Sequence, residues 1–266
     1  PTQGEGVVIG IVDSGINRTH PSFAERGPLD GYLHVNPRNQ LYGRCAEAAQ
    51  AAECNAKLIG LYDFTICTGV HAGGGCDDRE ANTAIGTDNH GTHVASTAAG
   101  NAVNVNLNLP GGGAPRRLSG VAPHANLIAY KACEDEELCR GTWLVAALDQ
   151  AVADGVDVIN YSIGGDERNP WTAADSLAML AAREAGIVVV SSAGNDGPGA
   201  STVGSPANSP WVIAVANSTH DRIIANRLTD LTGGATPPPS NGVLIGAGDT
   251  AGYGPADLVI DPQFPR

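Results

Sequence analysis

The chain has 266 residues, of which 42% are apolar and 5% aromatic, and its formal net charge is −13. This length suffices for a full hydrophobic core in one or two domains. The negative charge argues against a nucleic-acid partner, which calls for a basic surface, and the sequence has no run of about 18 apolar residues that would predict a membrane-spanning helix.

The first predicted element is a buried strand that ends in an acidic residue. Residues 7–12 are apolar or glycine without alternation, which is typical of a strand covered on both faces. Asp13 follows directly, and ligands of open α/β sheets bind at the carboxyl ends of strands. Asp13 is therefore a candidate site residue, although such an aspartate is also typical of a turn or a helix cap. A short helix over 46–52 and a second strand over 57–64 are predicted next.

Residues 88–100 predict a short loop that enters a helix made almost wholly of small residues. His90 lies near the start of this helix, and Gly91 beside it leaves one side of the imidazole open to a ligand. Asp88 is a candidate N-cap. His93 lies three residues further on, but the zinc-protease pattern His-Glu-x-x-His is absent, so we predict that His93 is a packed structural residue. On its own, a histidine of this kind is more often a packed core residue or a surface residue than a functional one.

From residue 120 onward, predicted strands and helices alternate along the chain. This alternation indicates βαβ crossovers and a parallel sheet, and hence the α/β fold class. The predicted strands are 125–131, 156–162, 187–191 and 211–216, and the predicted helices are 142–154, with Thr142 as its N-cap, and 172–185.

Four short motifs occur in order: Asp13-Ser14-Gly15, His90-Gly91-Thr92-His93-Val94-Ala95, Ser162-Ile163-Gly164-Gly165 and Ala193-Gly194-Asn195. Together they resemble the motifs of the subtilisin-like serine proteases (subtilases), and four motifs in order are more specific than any one of them. The resemblance implies a three-layer α/β fold in which helices flank a mainly parallel sheet.

The same resemblance implies roles for individual residues. Asp13 and His90 correspond to two members of an Asp-His-Ser triad for peptide-bond hydrolysis, and Asn195 corresponds to the amide that stabilises the oxyanion. Ser162, Ile163, Gly164 and Gly165 correspond to the strand that pairs with a polypeptide substrate. A roomy apolar pocket for the substrate side chain is expected, lined by Gly164, Gly165, Ala193, Gly194 and Gly204.

The nucleophile of the family is not found in this sequence. Its motif is Gly-Thr-Ser-Met-Ala-x-Pro, whereas the single methionine, Met179, follows Ser176-Leu177-Ala178. We therefore expect a C-terminally truncated serine endopeptidase, with the N-terminal part of the catalytic domain over 1–232. Residues 233–266 are expected to be a linker and the start of a protease-associated β-rich insertion. The expected partners are a polypeptide substrate and the rest of the catalytic domain or a pro-segment.

The six cysteines lie in nearby pairs, and the sequence alone does not choose among their connectivities. Local pairing would close three loops. An even count of cysteines in loops favours an oxidising compartment, and hence a secreted protein whose signal and pro-segment have been removed. Reduced thiols in a cytosolic protein are the alternative. The candidate pairs are Cys45 with Cys54, Cys67 with Cys76, and Cys133 with Cys139.

Two other functions compete with the protease. A non-catalytic peptide-binding module would keep the substrate strand without turnover. A phosphate or nucleotide site would need a Gly-x-Gly-x-x-Gly or Walker pattern at the start of a helix, and the sequence has neither. No cofactor and no metal ligand are predicted: calcium sites are common in the resembling family, but no Asp/Asn cluster here has convincing loop spacing.

Overall fold

The computed structural model describes residues 2–65, 89–107, 114–134, 138–218, 226–228 and 244–246. The chain divides into two compact units. One comprises Pro1–Val103 and Leu118–Ser218, and the other comprises Asn104–Arg117 and Thr219–Arg266.

A seven-stranded sheet organises the first unit. Its strands are β1 (Val8–Asp13), β2 (Tyr42–Gly43), β3 (Leu58–Asp63), β6 (Asn126–Lys131), β7 (Val158–Tyr161), β8 (Val188–Ser192) and β9 (Ile213–Val215). Their spatial order is β2-β3-β6-β1-β7-β8-β9, and every neighbouring pair is parallel. The sequence prediction of an α/β fold with a mainly parallel sheet is therefore confirmed.

Three helices cover the two faces of this sheet: α1 (His90–Ala99), α2 (Gly141–Asp154) and α3 (Ala174–Glu184). Alternate side chains of β1 enter different cores, as the twofold period of a strand requires. Val8 and Val12 pack in the core that contains residues of α2 and α3. Ile9 and Ile11 pack in the core that contains residues of α1. The result is the expected three-layer arrangement, with Asp13 at the carboxyl end of a central strand.

Two local predictions were wrong. In place of a helix over 46–52, the chain forms two 3-10 turns, Arg44–Ala46 and Ala51–Glu53, next to the two ends of the Cys45–Cys54 disulfide. Helix α2 begins one residue before Thr142, and its N-cap is Arg140, which makes no side-chain capping bond. The threonine hydroxyl therefore lies inside the first turn rather than ahead of it.

The remaining strands form two small sheets. One contains β4 (Val103–Leu107) and β5 (Ala114–Leu118), and the other pairs β10 (Asn226–Leu228) antiparallel with β11 (Leu244–Gly246). Of the predicted linker and insertion over 233–266, the structure describes only 244–246, so this boundary stays a prediction.

Two of the three candidate cysteine pairs form disulfides. Cys45 bonds to Cys54 across a Cα–Cα distance of 5.8 Å, and Cys133 bonds to Cys139 across 4.2 Å. The predicted pair of Cys67 and Cys76 lies outside the described residues. None of the helices in the described part of the chain is long and apolar enough to cross a membrane.

A buried histidine lies in a polar cluster of the first unit. His34 is 3% exposed. Its Nε2 lies 2.8 Å from Oδ1 of Asn101, whose Nδ2 donates to the carbonyl of Ala24. Because an amide oxygen only accepts, Nε2 of His34 carries the proton. Its Nδ1 has no hydrogen-bond partner among the described residues. The pKa of His34 is lowered from 6.5 to about 4, mainly by burial and also by the nearby charges of Lys57 and His124.

We expect His34 to weaken the fold on acidification. The unfolded chain takes up a proton near the ordinary pKa of 6.5, whereas the folded ring stays neutral down to about 4. Stability should therefore be greatest above pH 6.5 and fall by about 3 kcal/mol as the pH drops to 4. Urea denaturation at several pH values measures this loss. His34→Gln keeps an N–H donor without titrating and should reduce the loss, whereas His93→Gln, at an exposed histidine, should not. An equal pH dependence in all three proteins would contradict the assignment.

Candidate active site

A carboxylate and an imidazole meet where β1 ends and α1 begins. Asp13 is 2% exposed, and its Oδ1 lies 2.7 Å from Nδ1 of half-buried His90. The same oxygen accepts hydrogen bonds from the backbone N–H of Ser14 at 2.7 Å and from its hydroxyl at 3.2 Å. Because the carboxylate only accepts, Nδ1 of His90 donates. The neutral ring then has its lone pair on Nε2, the atom that can take up a proton.

The environment of Asp13 opposes its negative charge. Burial raises the pKa of Asp13, while the hydrogen bonds from His90 and Ser14 act in the opposite direction. Its Oδ2 has no hydrogen-bond partner among the described residues. A buried carboxylate of this kind is stabilised when the adjacent ring gains a positive charge. The pair is thus suited to a reaction in which His90 is transiently protonated.

Gly91 allows the helix to approach the strand end this closely. A Cβ atom at Gly91 would overlap the carbonyl oxygen of Gly15 and would lie 3.1 Å from Oδ1 of Asp13. The N–H of Gly91 donates to the hydroxyl of Ser14 at 3.1 Å. The absence of a side chain at Gly91 therefore allows the backbone of α1 to pack against the end of β1. From the sequence, Gly91 was expected only to leave one side of the imidazole open.

A cavity of about 580 Å³ brings most of the predicted site residues together. It is lined by Asp13, His90, Asn195 and all four residues of the Ser162–Gly165 segment. Asn195 also lines a second cavity of about 290 Å³, together with Gly194. Two predicted residues, Ala193 and Gly204, line neither cavity. A Cβ atom at Gly204 would overlap the carbonyl oxygen of Gly165, and the N–H of Gly204 donates to the carbonyl of Ala193 at 3.3 Å.

The Ser162–Gly165 segment continues β7 beyond its last paired residue. Gly165 exchanges two backbone hydrogen bonds with Ser205, at 3.0 and 3.1 Å. Within the described ranges, the backbone groups of residues 162–164 make no hydrogen bond to other backbone groups. An extended segment with unpaired backbone groups at the edge of a cavity can accept a further strand.

Several residues that line the first cavity were not predicted from the sequence. Tyr161, Arg168 and Asp175 line it, as do both cysteines of the Cys133–Cys139 disulfide. The lining is therefore more polar than the apolar pocket that the glycines predicted. Tyr161 ends a short strand, and Arg168 and Asp175 belong to no sequence motif, so only the folded chain brings the three together.

Two further predictions concern the histidine helix. Asp88, the expected cap, lies outside the described residues, and Asn89 occupies the N-cap position without a side-chain capping bond. His93 is exposed on α1, so the prediction that it is packed was wrong. Within the portion of the chain that the structure describes, no three His, Cys, Asp or Glu side chains are grouped so that they could hold a metal ion, and we assign no calcium site.

Comparisons with known proteins agree with this geometry. The model of the subtilase family matches residues 4–245. Subtilisin-like protease SBT2.1 of Arabidopsis thaliana is 37% identical over 234 residues, which are 85% of this chain and 27% of that protein. Subtilisin-like protease SBT3 of Solanum lycopersicum is 40% identical over 232 residues, which are 85% of this chain and 28% of that protein.

A solved structure is also similar to this chain. Sphericase superposes with a TM-score of 0.50 at 28% sequence identity, over 83% of this chain and 57% of that chain. The chain spans only 27–28% of the length of these two plant relatives. The comparisons therefore concern one portion of such proteins.

Proposed function

The chain belongs to the subtilase family, and we propose that it is the part of a serine endopeptidase that holds the general base, the carboxylate that orients it, and an oxyanion donor. The contact of 2.7 Å between Asp13 and Nδ1 of His90 carries this proposal. A binding function alone has no need for a buried carboxylate that fixes one tautomer of a half-exposed imidazole.

The proposed mechanism is acyl transfer. Nε2 of His90 takes the proton of a serine hydroxyl as that oxygen attacks the peptide carbonyl, and later returns it to the leaving amine. Asp13 holds the ring in the required tautomer and stabilises the imidazolium. The side-chain amide of Asn195 donates to the oxyanion. The backbone of residues 162–164 pairs with the substrate as an added strand.

The serine must come from residues outside this sequence, because no serine here stands in the nucleophile motif. The cavity of about 290 Å³ offers a place for the segment that carries it, since Asn195 lines this cavity as well as the one that contains His90. Val215, which also lines it, is 51% exposed, and its neighbour Ile213 in β9 is 54% exposed. Apolar side chains this exposed are expected where another segment packs.

We further propose that the protein is secreted. The Cys45–Cys54 and Cys133–Cys139 disulfides fit an oxidising compartment. A non-catalytic peptide-binding module remains the second candidate function, because the substrate strand by itself would serve both.

Labelling with a serine-reactive fluorophosphonate separates the two. We expect the full-length protein that contains this chain to be labelled, and residues 1–266 alone not to be. His90→Ala in the full-length protein should slow its labelling strongly, because the serine then loses its base. No labelling of either form would favour the binding module. Labelling of the 266-residue chain would show that its nucleophile lies within this sequence.

A further inference from the structure

An ion pair lies in the wall of the cavity that contains Asp13 and His90. Oδ2 of Asp175 accepts a hydrogen bond of 2.6 Å from Nη2 of Arg168, and Oδ1 accepts one of 2.9 Å from the N–H of Ser176. The Asp175 side chain is only 6% exposed, whereas that of Arg168 is 52% exposed. The carboxylate is thus fixed in the wall, and the guanidinium reaches it from the solvent side.

The loop that carries Arg168 does not depend on this ion pair. The backbone N–H of Arg168 donates to the hydroxyl of Ser205 at 2.7 Å, and the carbonyl of Arg168 accepts from Nδ2 of Asn208 at 2.8 Å. The side chain can therefore leave Asp175 while the loop stays in place.

A buried hydroxyl in the same cavity lacks a partner. Tyr161 is 1% exposed, and its hydroxyl makes no hydrogen bond to any described residue. Tyr161 and Asp175 line the same cavity, and both burial and the negative charge of Asp175 raise the pKa of Tyr161. Buried polar groups in folded proteins are nearly always paired. An unpaired hydroxyl in a cavity wall is expected where a ligand supplies the missing partner.

The charges that line the cavity favour a cation. The cavity is lined by three carboxylates, those of Asp13, Asp166 and Asp175, and by one guanidinium, that of Arg168. A cleft lined by an excess of one charge raises the local concentration of the opposite charge. An acidic side chain bound by Arg168 would be placed among these carboxylates and is disfavoured for the same reason.

We propose that this cavity selects a lysine or arginine side chain of the polypeptide substrate, which displaces Arg168 from Asp175 and hydrogen-bonds to the Tyr161 hydroxyl. Arg168 shows that the site holds a guanidinium, because its own guanidinium already occupies the position. This specificity rests on the proposed function, in which residues 162–165 hold the substrate backbone.

Peptide binding to the 266-residue chain tests the proposal. The probes are fluorescent N-acetylated octapeptides of alanine and glycine, in which one arginine, citrulline or glutamate is moved through successive positions. Citrulline has nearly the shape of arginine without its charge. At one position, the arginine peptide should bind roughly tenfold more tightly than the citrulline peptide, as measured by fluorescence anisotropy at low salt.

Substitutions that remove a negative or a positive charge from the cavity should change the preference for arginine in opposite directions. Asp175→Asn should abolish the preference for arginine. Arg168→Gln should strengthen it several-fold, because Asp175 then lacks its internal partner. Tyr161→Phe, which preserves the shape of the core, should weaken it. The matched control is Asp149→Asn, which removes one negative charge from the exposed face of α2 and should leave every affinity unchanged.

Two results would overturn the proposal. Equal affinity for arginine and citrulline peptides at every position, or tighter binding of glutamate, would show that the cavity does not select a cation. If no peptide of the series binds, the proposed peptide-binding role of residues 162–165 is itself wrong. The Arg168→Gln and Tyr161→Phe chains decide the matter even if Asp175→Asn fails to fold.

Discussion

Replacing His90 with alanine in the full-length protein is expected to lower kcat/KM for peptide hydrolysis by roughly 10⁴- to 10⁶-fold, the range that loss of one triad member produces in serine proteases. The nucleophilic serine would lose the base proposed to accept its proton, and Asp13 would be left as a buried carboxylate without the ring it orients. Steady-state hydrolysis of a peptide substrate measures the loss. His93→Gln, one turn further along α1, should retain activity within a few-fold.

A double substitution shows whether the two residues act as a unit. If Asp13 works only through His90, then Asp13→Ala should cost little further activity once His90 is alanine, because the ring that it orients is already absent. Losses of catalytic residues that cooperate are strongly non-additive. Additive losses in the double variant, or a His90→Ala protein with near-normal kcat/KM, would contradict the proposed roles.

The parts of this site that the sequence predicts are those that depend on short contiguous patterns. An unbroken apolar run places Asp13 at a strand end, and a run of small residues places His90 at the mouth of a helix. The joining of these residues over a sequence separation of 77 follows from the fold that the motifs predict. The strand register and the sheet order then bring residues 162–165 and Asn195 to the same cavity.

The residues that we propose to select a cation were not predictable in the same way. Tyr161, Arg168 and Asp175 follow one another along the chain at intervals of seven residues, on a strand, a loop and a helix. No single element relates them, and the burial of Asp175 depends on how α3 packs. The local errors have a similar origin. Alanine-rich residues 46–52 favour a helix by propensity, but the disulfide between Cys45 and Cys54 closes a loop too short for one.

Gly91→Ala is expected to destabilise the chain by about 2–4 kcal/mol, at the upper end of the cost of overpacking. The added methyl group would overlap the carbonyl oxygen of Gly15, a backbone atom that cannot move without displacing the end of β1. Urea denaturation of the 266-residue chain measures the effect. Elsewhere a glycine near a helix start is replaceable: a Cβ atom at Gly141 meets nothing within 4 Å.

A control variant separates the cost of overpacking from the effect of helix propensity. Gly141→Ala makes the same chemical change at the start of α2 and should be neutral or stabilise by up to about 1 kcal/mol, because alanine favours a helix more than glycine does. If Gly91→Ala were equally harmless, α1 would have to lie further from β1 than the structure places it. The contact between Asp13 and His90 would then lengthen as well, and the mechanism derived from it would lose its geometric basis.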